Sequence, residues 1–357
     1  MSRPRIPAPG ARERGAGLVE WMVGVVVAIV TVLLVYRVFI VTESLRRNAE
    51  SDGDAQQTAL FVLSRLSFDV ANAGAGIVPA AQDLATCPVT ADLSALLRPI
   101  SVLVTDSGAP DIPDSVVVRY AVGTGRATPV PFAAAAPSGA PFSVRSPLGF
   151  LAGDLVIAFD RRGACVRTTL TSVGVPAAGV VALAHDIVAN DLPASAMLVD
   201  LGPAPKVVTT RYDVAGGVLR TTDVLGGDAP NPLASNIVNL KLQYGVDTDG
   251  DGALDTWVPA QESSLAGNWT SAAVLQASAT TLARIKALRI GLVVRGEQFD
   301  RAATRGFDWV LFDCAATDKN ACPGRLAGSI APSVRGGYHY RVYETVVPLR
   351  NQLWSRG

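Results

Sequence analysis

The chain has few of the residues on which catalysis most often depends. Its 357 residues include only two histidines, His185 and His339, which lie far apart in the sequence and outside any motif. The G-x-S-x-G, H-E-x-x-H and P-loop patterns, which place a nucleophile, a zinc ion or a phosphate, are missing. The spacing of the acidic residues selects no pair for general acid–base chemistry. The sequence therefore predicts a protein that is not an enzyme.

Net charge is also lacking. The 31 basic and 31 acidic residues balance, and no basic cluster with interleaved aromatic residues occurs beyond the N-terminal segment. Such clusters mark proteins that bind nucleic acids or acidic membrane surfaces. No nucleic-acid partner is therefore expected.

Cysteine is scarce, and the absence of a C-x-x-C pair argues against zinc and thioredoxin-type chemistry. The four cysteines are Cys87, Cys165, Cys314 and Cys322. They can pair in three ways if they face an oxidising compartment. A bond between Cys314 and Cys322 would close a short polar loop, which leaves Cys87 for Cys165. A free thiol pair is the alternative.

The sequence does contain a long apolar run near its start. Four arginines precede the segment Gly-Ala-Gly-Leu-Val-Glu at residues 15–20, and the apolar residues 21–36 end at Arg37. Residues 16–41 are long enough to span a membrane if the Arg37 side chain reaches the interface. Because basic flanks stay in the cytoplasm, the N-terminus is predicted to be cytoplasmic and the rest periplasmic.

A carboxylate, Glu20, lies at the edge of this apolar run. A charged side chain within a membrane helix costs roughly 2.5–3.5 kcal/mol on insertion scales, so such a residue usually has a partner and a function. A secretory signal peptide lacks this acid and ends in a small-residue cleavage site, which does not follow Arg37. A plain single-span anchor is the other alternative.

The pattern around Glu20 resembles the class III signal peptide of type IV pilins and their relatives. The resemblance implies that a prepilin peptidase cuts after Gly15 and methylates the new amine of Ala16. It also implies that Glu20 meets such an amine in the growing fibre. Ala16 stands where the family usually has Phe or Met. Residues 1–15 are accordingly expected to be a cytoplasmic leader.

The helical pattern continues beyond the membrane segment. Apolar residues recur at spacings of four and three: Ala55, Ala59, Leu63, Leu66, Val70 and Ala73. This stripe predicts that residues 42–76 extend the helix in amphipathic form. Gly74, Gly76 and Pro79 are expected to end it.

Residues 77–357 are predicted to form a β-rich periplasmic region. Short β-branched runs between Pro-, Gly- and Ala-rich stretches predict strands at 115–120, 155–159, 166–170, 207–212, 217–220, 237–244, 287–295 and 340–349. One helix is predicted at 272–285. The expected fold class is α+β, with a long N-terminal helix packed on an antiparallel globular region.

Four segments are similar to the PilW family of minor pilins. They are residues 63–66 with 73–76, residues 237–247, residues 284–295 and residues 346–351. The resemblance implies a pilin of the bacterial inner membrane that helps to initiate pilus assembly at or near the tip. Its implied partners are other minor pilins, the major pilin and a PilY-like tip adhesin. The alternatives are a minor pseudopilin of a type II secretion system and a membrane-anchored calcium-dependent binding domain.

An aspartate-rich loop follows the strand predicted at 237–244. Three alternating aspartates and a glycine match the first half of an EF-hand-type calcium loop. The candidate calcium ligands are Asp247, Asp249, Asp251, Ala253 through its carbonyl, and Asp255. The twelfth position, where the motif requires a bidentate Glu, is Val258, and Glu262 would serve only if the chain folded back. The alternative is a solvated Asp/Gly turn without metal.

Overall fold

A computed structural model describes most of the chain. The described residues are 17–77, 84, 86–88, 98, 100–121, 128–186, 190–203, 207–261, 263, 267–300, 306–319 and 322–353. The predicted leader with Gly15 and Ala16, together with Pro79 and Glu262, lies outside them. The chain divides into two compact units, Met1–Glu50 and Ser51–Gly357.

The first element is a long helix, α1 (Leu18–Asn72), whose residues belong to both units. In the first unit its apolar side chains are exposed from Leu18 to Val41. In the second unit one face of the helix is buried, and this face carries the stripe predicted from the spacing: Ala55, Ala59, Leu63, Leu66, Val70 and Ala73. The predicted long N-terminal helix is therefore confirmed.

The end of α1 is determined by two glycines and by a distant side chain. Gly74 and Gly76 have φ values of 82° and 71°, a left-handed conformation that glycine adopts without strain. The last carbonyls of a helix lack partners within it. Here the Nδ2 group of Asn351 donates to the carbonyl oxygens of Asn72 at 3.2 Å and Ala73 at 3.0 Å. The C-terminal part of the chain thus caps the N-terminal helix.

The rest of the second unit is mainly antiparallel sheet. Its strands are β1 (Val102–Thr105), β2 (Ser115–Ala121), β3 (Val130–Pro131), β4 (Phe142–Val144), β5 (Asp154–Phe159), β6 (Cys165–Val173), β7 (Val181–His185), β8 (Met197–Pro203), β9 (Val207–Ala215), β10 (Val218–Asp223), β11 (Asn231–Ser235), β12 (Ile237–Val246), β13 (Thr256–Pro259), β14 (Ile285–Arg295), β15 (Phe307–Leu311), β16 (Leu326–Ile330) and β17 (Tyr340–Pro348). The short helices are α2 (Ser271–Gln276), α3 (Ala279–Ala283), α4 (Pro332–Arg335) and α5 (Arg350–Leu353).

The strands form four sheets. Their orders are β1-β2-β9-β10-β11, β13-β12-β14-β17, β3-β8-β5-β6-β7-β4 and the hairpin β15-β16. The buried face of α1 shares one hydrophobic core with the first two sheets, and the hairpin covers part of the β14 strand through a separate core. The predicted α+β organisation, a long helix packed on an antiparallel region, is confirmed.

Each predicted strand has a counterpart, but the predicted helix at 272–285 is wrong as a single element. The chain forms α2 and α3 instead, because Ala277 is extended between them (ψ 149°). The Ser278 side chain accepts a hydrogen bond from the Thr281 amide and begins a new helix. The strand β14 then starts at Ile285, before the predicted position.

Both predicted disulfides are present in the structure. Cys87 is bonded to Cys165, and Cys314 is bonded to Cys322. No free cysteine occurs among the described residues. The first bond joins the segment after α1 to β6, and the second closes the loop between β15 and β16, so the predicted pairing is confirmed.

Candidate functional site

The first candidate site is the beginning of α1. The Gly17 amide donates a hydrogen bond to Oε2 of Glu20 at 3.2 Å, so the carboxylate caps the first helical turn. An acidic side chain at this position also complements the partial positive charge of the helix N-terminus. The amine of Ala16 lies outside the described residues. Pairing of Glu20 with that amine therefore stays a prediction.

The segment that follows Glu20 has the properties of a membrane anchor. Among the described residues, α1 is the one helix that is long and apolar enough to cross a membrane. Trp21, Leu34 and Phe39 are 70%, 63% and 63% exposed, and no part of the first unit covers them. An apolar surface of this extent is unusual in a protein that is surrounded by water.

A second feature attaches residues 51–72 of α1 to the sheets. The Asp69 carboxylate is completely buried and accepts hydrogen bonds from the hydroxyl groups of Tyr120 (2.9 Å) and Tyr212. Arg65, one turn earlier on α1, lies 3.4 Å from the same carboxylate. Burial and the hydrogen bonds to Asp69 raise the pKa of both tyrosines. This arrangement fixes the rotation of α1 against β2 and β9.

The aspartate-rich loop brings together some of the predicted calcium ligands. Carboxylate oxygens of Asp247, Asp249 and Asp255 lie within 4.8 Å of one another. Asp247 is 1% exposed, and despite its burial the amides of Gly250 (2.6 Å) and Gly252 (2.9 Å) lower its pKa. Ionised carboxylate oxygens this close together are a suitable ligand set for Ca²⁺.

Hydrogen bonds within the loop also engage the carboxylates of Asp251 and Asp255. The Asp251 carboxylate is not part of the group, and its Oδ1 accepts a hydrogen bond from the Ala253 amide at 2.7 Å. Oδ2 of Asp255 accepts from both the amide and the hydroxyl of Thr248 at 2.6 Å. These bonds also suit a turn without metal. Calcium binding by this loop stays a prediction.

The two histidines do not form a common site with each other. The His185 ring packs against Phe142 with centroids 4.0 Å apart and the ring planes tilted by 32°, and its nitrogens face the carbonyl oxygens of Ala140 and Asp186. The His339 ring lies 3.0 Å from the carboxylate of Asp300. Each ring thus has its own local partners, which fits structural roles.

Comparison with known families gives a match over the C-terminal part of the chain. Residues 205–351, about two-fifths of the chain, match the family model described as Type IV Pilus-assembly protein W. The matched region runs from β9 to the start of α5 and includes the aspartate-rich loop and the Asn351 cap. The chain is PilW-like over this region, so the predicted resemblance is confirmed there. Comparison with curated proteins found no match.

Among solved structures, a type IV-like pilin from Thermus thermophilus shows some similarity. It is 14% identical in sequence, and the similarity covers 57% of this chain and 85% of that chain, with a TM-score of 0.23. At this low TM-score the fold of the present chain is best described from its own helix and sheets.

Proposed function

We propose that the protein is a minor pilin of a type IV pilus. The observation that carries the proposal is the match of residues 205–351 to a pilus-assembly family in a chain that also contains the exposed apolar segment of α1. In this proposal the protein is stored in the bacterial inner membrane through α1, and its β-rich region lies in the periplasm. It then enters the pilus and helps to initiate assembly at or near the tip.

Processing and assembly would depend on the start of α1. A prepilin peptidase would remove residues 1–15 and methylate Ala16. The Glu20 carboxylate would then pair with the amine of Ala16, its own or that of a neighbouring pilin. Such pairing is important because an unpaired charge in an apolar fibre core is strongly destabilising. The apolar surface after Glu20 would be covered first by lipid and then by the helices of other pilins.

The proposed partners are other minor pilins, the major pilin and a PilY-like tip adhesin, and the proposed role is not catalytic. A minor pseudopilin of a type II secretion system is the alternative with the same N-terminus. A membrane-anchored binding domain is a further alternative, in which Glu20 would have no role in assembly. The neighbouring genes distinguish a minor pilin from a pseudopilin. A tip-adhesin gene indicates a type IV pilus, and a secretion operon indicates a type II secretion system.

Substitution of Glu20 tests the proposal directly. Glu20→Ala should leave cleavage and membrane insertion intact but lower incorporation into sheared pili by at least about tenfold, because the amine loses its partner. Glu43→Ala is the matched control, since Glu43 also lies on α1 but forms an exposed ion pair with Arg47 at 3.2 Å. Equal incorporation of Glu20→Ala and Glu43→Ala would contradict the proposal.

A further inference from the structure

The strand β17 forms an edge of the four-stranded sheet and differs from the other sheet edges. It has nine residues, and its only proline is the last residue, Pro348. The other edges of the three larger sheets are short or interrupted: β1 and β13 have four residues, β4 has three, β3 has two, and β11 contains Pro232 beside an irregularity in its register. Short or interrupted edges resist pairing with foreign strands. The strand β17 is neither short nor interrupted before Pro348, and its protection is limited to the charged side chains of Arg341 and Glu344.

The hydrogen-bond pattern shows which backbone groups of β17 face outward. In an antiparallel pair, alternate residues direct their N–H and C=O groups toward the partner strand. The Leu349 amide donates to Lys286, and the Gly296 amide donates to His339, so the odd-numbered residues of β17 face β14. The backbone groups of Val342, Glu344 and Val346 therefore face away from the sheet. Within the described part of the chain, no backbone partner occurs for them.

The side chains of these three residues are accessible. Val342 is 37% exposed, Val346 is 57% exposed, and Glu344 between them is also exposed. Glu344 and Val346 line a cavity with Trp257, Arg289 and Phe312. Apolar side chains thus flank an acidic one along an open backbone edge.

The charges around this edge favour a basic partner residue. Arg289 is buried and donates to Gln243 and to the carbonyl of Pro323, while Asp313 pairs with Lys319 at 3.1 Å. Burial lowers the pKa of Arg289, and the nearby Glu344 carboxylate offsets part of this effect. Within the described residues Glu344 nevertheless forms no ion pair at contact distance, and its Oε1 accepts the Phe312 amide at 2.7 Å. Opposite charges on facing strands attract, and like charges repel.

We propose that β17 is a docking site for an extended strand of another polypeptide. The strand would pair antiparallel with β17 and place a lysine or arginine opposite Glu344, with apolar side chains opposite Val342 and Val346. Main-chain hydrogen bonds provide the affinity in this mode of recognition, and alternate side chains provide the specificity. A second copy of this chain fits less well, because the symmetric register that faces Val342 with Val346 also faces Glu344 with Glu344. The proposal does not depend on the pilin assignment.

Peptide binding to the full chain in detergent tests this proposal. The probe is the peptide Thr-Val-Thr-Lys-Thr-Val-Thr, and its controls carry Glu in place of Lys or N-methyl groups on the Val and Lys residues. We expect saturable binding of the lysine peptide, at least tenfold weaker binding of the glutamate peptide, and none of the methylated peptide. No binding of the lysine peptide at millimolar concentration, or equal binding of all three, would overturn the proposal.

Two variants locate the binding site on β17. Val346→Pro removes an outward N–H without breaking the β14 ladder, and edge positions of this kind tolerate proline; Val346→Thr keeps the N–H and the shape. We expect Val346→Pro to lower the affinity for the lysine peptide at least tenfold and Val346→Thr to change it less than threefold. Circular dichroism checks that both variants fold. If Val346→Pro does not fold, the comparison of the methylated and unmethylated lysine peptides tests the proposal without it.

Glu344→Gln should remove the preference for lysine over glutamate. An unchanged preference in this variant, or wild-type binding by folded Val346→Pro, would place the peptide elsewhere and refute the proposal. Dimerisation of the wild-type chain that Val346→Pro abolishes would show that the occupant is a second copy, which also contradicts it.

Discussion

The two units of the chain use apolar residues in opposite ways. In the first unit Leu34 is 63% exposed, and its neighbours along α1 are equally uncovered. In the second unit Leu66, on the same helix, is 1% exposed and shares a core with strands from two sheets. One helix therefore contains a segment that the chain itself covers and a segment that it does not.

This difference shows which part of α1 is stabilised by contacts within the chain itself. Residues 51–72 of α1 are held by packing, by the Asp69 hydrogen bonds and by the Asn351 cap. The apolar residues of α1 before Glu50 are not covered by other described residues, and in the proposed function lipid and then other protein helices cover them. Perturbations of the two units should accordingly have different consequences.

The largest expected effect is the loss of the Cys87–Cys165 disulfide, which acts only on the second unit. The bond spans 78 residues of sequence, and its removal should cost about 4.5 kcal/mol in the chain-entropy model. The Cys314–Cys322 bond spans 8 residues and should contribute only about 2.6 kcal/mol. Urea unfolding of the two double Cys→Ser variants in detergent measures the difference. Equal losses in the two variants would contradict the account.

Paired leucine substitutions in α1 sharpen the comparison between the units. Leu66→Ala should lower the free energy of unfolding of the second unit by about 2–5 kcal/mol, because a buried leucine leaves a cavity. Leu34→Ala should leave this free energy of unfolding unchanged. Leu60→Ala should also leave it unchanged, because the Leu60 side chain is 56% exposed within the second unit. The measurement is chemical unfolding followed by tryptophan fluorescence. A loss with Leu34→Ala similar to that with Leu66→Ala would show that the second unit depends on the apolar segment.

The smallest expected effect is that of calcium on the aspartate-rich loop. For a Kd of about 10⁻⁴–10⁻³ M, 1 mM Ca²⁺ should stabilise the second unit by about 0.4–1.4 kcal/mol. Asp249→Asn should abolish the effect, since Asp249 belongs to the group of close carboxylates, whereas Asp251→Asn should retain it. If calorimetry detects no calcium binding at millimolar concentration, the loop is a solvated turn without metal.

The sequence predicts the regular parts of the second unit well. Strands β12, β14 and β17 are nine to eleven residues long and rich in β-branched, leucine and tyrosine residues, and the stripe on α1 repeats at helical spacing, so local pattern is sufficient to identify them. Local pattern does not identify shorter strands such as β1 and β16, because four or five residues carry little periodic signal.

The contacts between distant segments could not be predicted from local pattern. Asp69 resembles any polar residue on a helix, and its burial depends on Tyr120 and Tyr212 from two separate strands. The role of Asn351 as a cap depends likewise on where the C-terminal segment folds back. Within the aspartate-rich loop, spacing alone does not show that the Asp251 carboxylate accepts the neighbouring Ala253 amide, and its role as a calcium ligand stays a prediction.

The proposed function requires the first unit to be the N-terminal helix of a processed pilin. N-terminal sequencing of the protein extracted from membranes, combined with the mass of its first peptide, tests this requirement. We expect a mature chain that starts at methylated Ala16, with Glu20 as its fifth residue. A mature chain that starts at Met1 or Ser2 would contradict it.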